Sequence, residues 1–118
     1  MTQQNHAFYE LAGSDAGQQF ARLGNVLDLV RQIAGQRGLE RDRALDESAR
    51  VSSAYELAAP IVRRRFDTLV AESSTWAAAG VDALAAAADP RRRPKAAAAR
   101  LAEELDIAIA DLKKLLRA

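Results

Sequence analysis

Cysteine is absent from the chain. That removes disulfides, thiolate nucleophiles and cysteine-held metals together. Histidine occurs once, at His6 near the amino terminus, so no pair of imidazoles exists to ligate a metal and no mid-helix histidine to carry a phosphoryl group. Aromatic residues are only 5% of the 118, and large anchors for a core are correspondingly few. No apolar run reaches the ~18 residues a membrane span needs. Met1–Glu10 lacks the basic-then-apolar order of a secretion signal. Neither sign of charge is in excess: 17 basic residues face 16 acidic ones, so no long-range field announces a nucleic acid or an anionic membrane. Glycine-rich phosphate loops, Glu-x-x-His pairs and a serine–histidine constellation are missing too. The adjacent carboxylates Asp46–Glu47 and Glu103–Glu104 diverge by about 100° on a helix and do not form a working acid–base pair. The expectation is a protein without catalytic residues, cofactor or metal, and without a membrane anchor.

Alanine is what the chain has in abundance, at 27 residues. It is the best helix former and adds almost no side-chain volume. The chain is therefore expected to be all-α, with helices that approach closely. Arginine outnumbers lysine 14 to 3, a usage expected of a GC-rich bacterial genome. A bacterial cytoplasmic protein of one domain, spanning 1–118, fits this composition.

Along the chain, residues 1–13 form an arm or short helix carrying Phe8, Tyr9 and Leu11, closed by Gly13. Asp15 and Gln18 have capping-box spacing and open a helix over 15–35. Its stripe is Ala16, Phe20, Leu23, Leu27, Val30 and Ala34, widened by Val26, Leu29 and Ile33. Gly35 to Gly38 end it. Ser48, Ser52, Tyr55, Ala59, Val62, Phe66, Leu69, Ser73 and Trp76 then follow one another at alternating spacings of four and three, straight through Pro60. Such spacing lies on one stripe of a helix. Because the phase does not slip, and because Leu57-Ala58-Ala59-Pro60 is poor in capping and turn residues, the reading is one long helix over 41–88, kinked near Pro60. In the competing reading a helix stops at about Ala58 and Pro60 opens the next one. Asp89 to Pro94 end the long helix. A last helix over 94–117 carries Ala98, Leu101, Leu105, Ala108, Leu112 and Leu115.

A helix of ~70 Å, at 1.5 Å per residue, does not bury its stripe inside a compact chain of this size. Two hairpins that pair into a homodimer would bury it. The antiparallel bundle with a long kinked central helix is thus expected as a homodimer; the alternative is a monomeric up-down four-helix bundle.

Function is expected through contact. The chain reads as a protein–protein interaction module, an adaptor, regulator or assembly factor, whose partners are itself and a second protein. Phe8, Tyr9 and Ile107 are candidate apolar contacts. Ile107 stands out among Arg100, Glu103, Asp111 and Lys114 on the polar side of the last helix. Arg91, Arg92, Arg93 and Lys95 are a candidate anion or partner site, since they lead into a helix N-terminus whose free amides favour negative charge. The same loop supports a nucleic-acid-associated alternative, not favoured because no aromatic interleaves the arginines for base stacking. Arg63, Arg64 and Arg65 fan through ~200° on a helix and read as a solvated face. A further alternative is a small-molecule sensor with a pocket around Ser52, Tyr55 and Trp76.

Overall fold

The computed structural model describes residues 15–38, 40–87 and 94–117. They form four helices and, among the described residues, no strand: α1 (Asp15–Ile33), α2 (Arg41–Leu57), α3 (Pro60–Ala87) and α4 (Lys95–Arg117). None of these helices is long and apolar enough to cross a membrane.

The first helix follows its sequence pattern. Ala16, Phe20, Leu23, Leu27 and Val30 are all buried. Its end is a Schellman motif: the Gln36 amide donates to the Arg31 carbonyl at 2.8 Å and the Gly35 amide to Gln32 at 3.1 Å. Gly35 sits at φ 73°, where a side chain would be strained. The last helix is as faithful, burying Ala98, Leu101, Ala102, Leu105, Ala108, Ile109 and Leu112. The Ala98 amide donates to Pro94, so that proline caps the helix from just outside it.

The single kinked helix over 41–88 does not form. Ala58 adopts φ −76° and ψ 150°, an extended conformation that ends α2 at Leu57, and Pro60 is the first residue of α3. Two local effects favour this. A proline disfavours helical backbone in the residue before it, here Ala59. At the first helical position its missing amide costs nothing, since that amide has no partner anyway. The corner needs no capping side chain: the Ala58 amide donates to Tyr55 at 3.2 Å, and the Ala59 carbonyl accepts from Arg63 at 3.0 Å. Tyr55 also braces the corner from outside the turn. Its ring meets Phe66 edge-on at 5.5 Å, and its hydroxyl donates to Asp67 at 3.0 Å. The unbroken phase was a property of two helices that face the same core.

All four helices contribute to one buried cluster. The closest packed pairs are α3 with α4 and α1 with α4; α1 also packs on α2 and α3. Length therefore no longer demands a second copy to bury the stripes. The helices contribute unequally. Only Val51 of α2 is buried, whereas Phe66, Val70, Ser73, Ala77 and Leu84 of α3 are. The Ser48 hydroxyl turns back onto the carbonyl of Ala44 at 3.0 Å, and Leu45 is 62% exposed.

Candidate functional site

The weakly anchored second helix roofs a cleft. It is lined from α1 by Phe20, Ala21, Gly24, Leu27 and Asp28, from α2 by Arg41, Ala44, Leu45, Glu47 and Ser48, and from α4 by Asp106, Ile109, Ala110 and Lys113. Its volume is about 710 Å³. Small side chains on all three helices leave the space: Ala21 and Gly24 below, Ala44 above, Ala110 to the side. Toward the corner the space closes, because α1 and α2 come together at Gly17, where a Cβ would collide with the Ser52 hydroxyl. α2 touches α4 little, and so the cleft stays open along that seam.

Charge sits on the rim and is largely paired. Lys113 Nζ lies 3.3 Å from Glu47 Oε1, tying α4 to α2 across the seam. Arg31 Nη2 lies 2.9 Å from both carboxylate oxygens of Asp106, tying α1 to α4. Asp28 accepts from Gln32 at 3.1 Å. The three rim carboxylates thus each hold a donor, and no group of three potential metal ligands forms among the described residues. The floor between these pairs is apolar, made by Phe20, Leu27 and Ile109.

Gly24 is the unusual member. Glycine inside a helix costs about 1 kcal/mol relative to alanine. At Gly17 close packing against Ser52 explains it. At Gly24 a Cβ would meet nothing within 4 Å. Among the described residues nothing makes use of the missing side chain, and the opening it leaves faces the cleft.

The candidate residues from the sequence fare differently. Phe8, Tyr9, Arg91, Arg92 and Arg93 lie outside the described residues. Lys95 is exposed at the start of α4, and its Nζ lies 3.9 Å from where a Gly35 Cβ would stand. Its ammonium is therefore beside the C-terminal turn of α1, where the helix dipole favours a cation. Ile107 is 62% exposed and is not part of the cleft, although its neighbour Asp106 is. Of the residues expected around a sensor pocket, Ser52 abuts Gly17, Tyr55 packs on Phe66 and Trp76 packs against the core; none of the three lines the cleft. Beside them, Asp67 takes the Tyr55 hydroxyl, and the Arg63 guanidinium lies 6.0 Å over the Tyr55 ring. No local sequence pattern marks the cleft. Gly24, Ala21 and Ala44 were its traces, hidden in a chain full of alanine.

The chain matches no protein-family model, no curated protein and no solved structure.

Proposed function

We propose that this protein is a bacterial cytoplasmic interaction module, an adaptor, regulator or assembly factor, which receives an amphipathic helix of a second protein in the cleft between α1, α2 and α4. Gly24 carries the reading. An unneeded glycine in mid-helix lowers stability, and the natural use of such a gap is close approach by another backbone. The cleft has the ingredients for that mode of recognition: an apolar floor for the apolar face of an incoming helix, and charges on both rims for its polar flanks. α2, with one buried residue, is held weakly enough to adjust to a guest. Self-association is the second part of the reading and runs through a different surface.

A photo-cross-linking amino acid tests the reading in living cells. Placed at Leu45, on the cleft, it is expected to give one discrete heavier adduct that contains a second protein. Placed at Ile107 or Leu57, both exposed but off the cleft, it is expected not to give that adduct. No adduct from position 45, or the same adduct in equal yield from all three positions, overturns the reading.

A small amphipathic molecule is the second reading, favoured by one observation: the cleft's volume of about 710 Å³ is that of an ordinary ligand pocket. A rise in melting temperature with a compound, lost in Gly24→Leu, would select it.

A further inference from the structure

The third helix has a flank that the described residues cover only in part. Ile61, 59% exposed, lines a shallow groove of about 300 Å³ with Arg64, Arg65, Thr68, Leu69 and Glu72. Ile61, Arg65, Leu69, Glu72 and Trp76 follow one another at spacings of four, four, three and four, and so share that flank of the helix. Leu69 and Trp76 pack one side against the core and are partly exposed on the other. Arg65 and Glu72 are exposed, and neither makes an ion pair with a described residue.

Along the helix the flank reads apolar, basic, apolar, acidic, apolar. Reversed, it reads the same with the charges exchanged. Laid antiparallel on a copy of itself, about an axis between Thr68 and Leu69, it sets Arg65 opposite Glu72 of the second copy and Glu72 opposite the second copy's Arg65. Ile61 then faces Trp76 of the second copy, and Leu69 lies at the centre. Two-fold interfaces require such self-complementarity, since one patch must serve as both surfaces. A foreign partner would not require opposite charges placed evenly about a centre.

We propose that this flank of α3 is a homodimer interface. The proposal takes up the self-association part of the reading above; it uses no residue of the cleft. Ile61 to Trp76 spans only ~23 Å of helix at 1.5 Å per residue. The contact is therefore small beside the ~800 Å² per partner of a standard interface, and the dimer is expected to be weak and concentration-dependent.

Analytical ultracentrifugation of the full chain, from about 1 to 200 µM so as to reveal a weak self-association, tests it. The wild-type mass is expected to rise from one chain toward two. Arg65→Glu puts like charges together in both symmetric contacts and is expected to weaken the dimer about tenfold or more; Glu72→Arg does the same. An equimolar mixture of the two variants is expected to recover the dimer, because every contact across the interface again joins opposite charges. Far-UV circular dichroism of each variant checks that these exposed changes leave the helices intact. A wild-type mass of one chain at every concentration overturns the proposal. So does undiminished dimerisation of Arg65→Glu, or a mixture that stays as single chains. The cross-linking result at Leu45 is independent of all of these, so failure here and failure of the cleft reading are told apart.

Discussion

The hydroxyl of Tyr55 in α2 lies 3.0 Å from both carboxylate oxygens of Asp67 in α3. The two residues are twelve apart in sequence. In a continuous helix they would be separated by ~18 Å along the axis, beyond the reach of a tyrosine and an aspartate together. The bond is thus both a consequence of the corner at Ala58 and a brace for it. Tyr55→Phe keeps the ring on Phe66 and removes only the hydroxyl. It is expected to cost about 1 kcal/mol, below the ~1.5–3 kcal/mol usual for a bond to a charged group because the pair is exposed. Urea unfolding of Tyr55→Phe, Asp67→Asn and the double variant checks this: the second change is expected to cost little once the first is made.

Ser73 is fully buried in α3, and its hydroxyl has no hydrogen-bond partner among the described residues. A desolvated hydroxyl without a partner is a net cost. Ser73→Ala is therefore expected to raise stability by about 1 kcal/mol, read as a higher urea midpoint at unchanged slope. A loss of stability would mean that the hydroxyl does have a partner in solution.

The second helix buries one side chain, Val51, while α4 buries seven. Opening free energy follows buried contact. Amide hydrogen exchange at neutral pH is expected to be fastest in α2, well before α4, whose central amides should exchange only on global unfolding. Equal protection of the two helices would contradict the unequal anchoring.

Much of this fold is legible in the residues. The stripes of α1 and α4 are long, periodic and made of large apolar side chains, and every position that repeats at helical spacing with Leu, Phe or Val in α1 is buried except for the flanking Val26 and Leu29. Gly35 marked its own turn. The corner at Pro60 was legible in principle, through the restraint a proline puts on Ala59, but the phase of Ser48 to Trp76 pointed the other way. Phase tells which residues face the core and is silent on whether two helices or one present them. The deciding contacts, Tyr55 with Phe66 and Asp67, are tertiary. The cleft is less legible still. It exists because α2 is attached by Val51 and held near α4 by Lys113 and Glu47, a placement that no local pattern encodes, and because Gly24 and three alanines leave room, a signal lost among 27 alanines.

The central claim is that the gap at Gly24 serves a guest and not the fold. The direct measurement is made on Gly24→Leu, in parallel for stability and for binding of the protein cross-linked at Leu45. A leucine side chain enters the cleft without meeting any described atom within 4 Å of its Cβ and replaces glycine in mid-helix, so stability is expected to rise by about 0.5–1 kcal/mol while binding is lost. A variant that is more stable and binds as well as wild type would contradict the account.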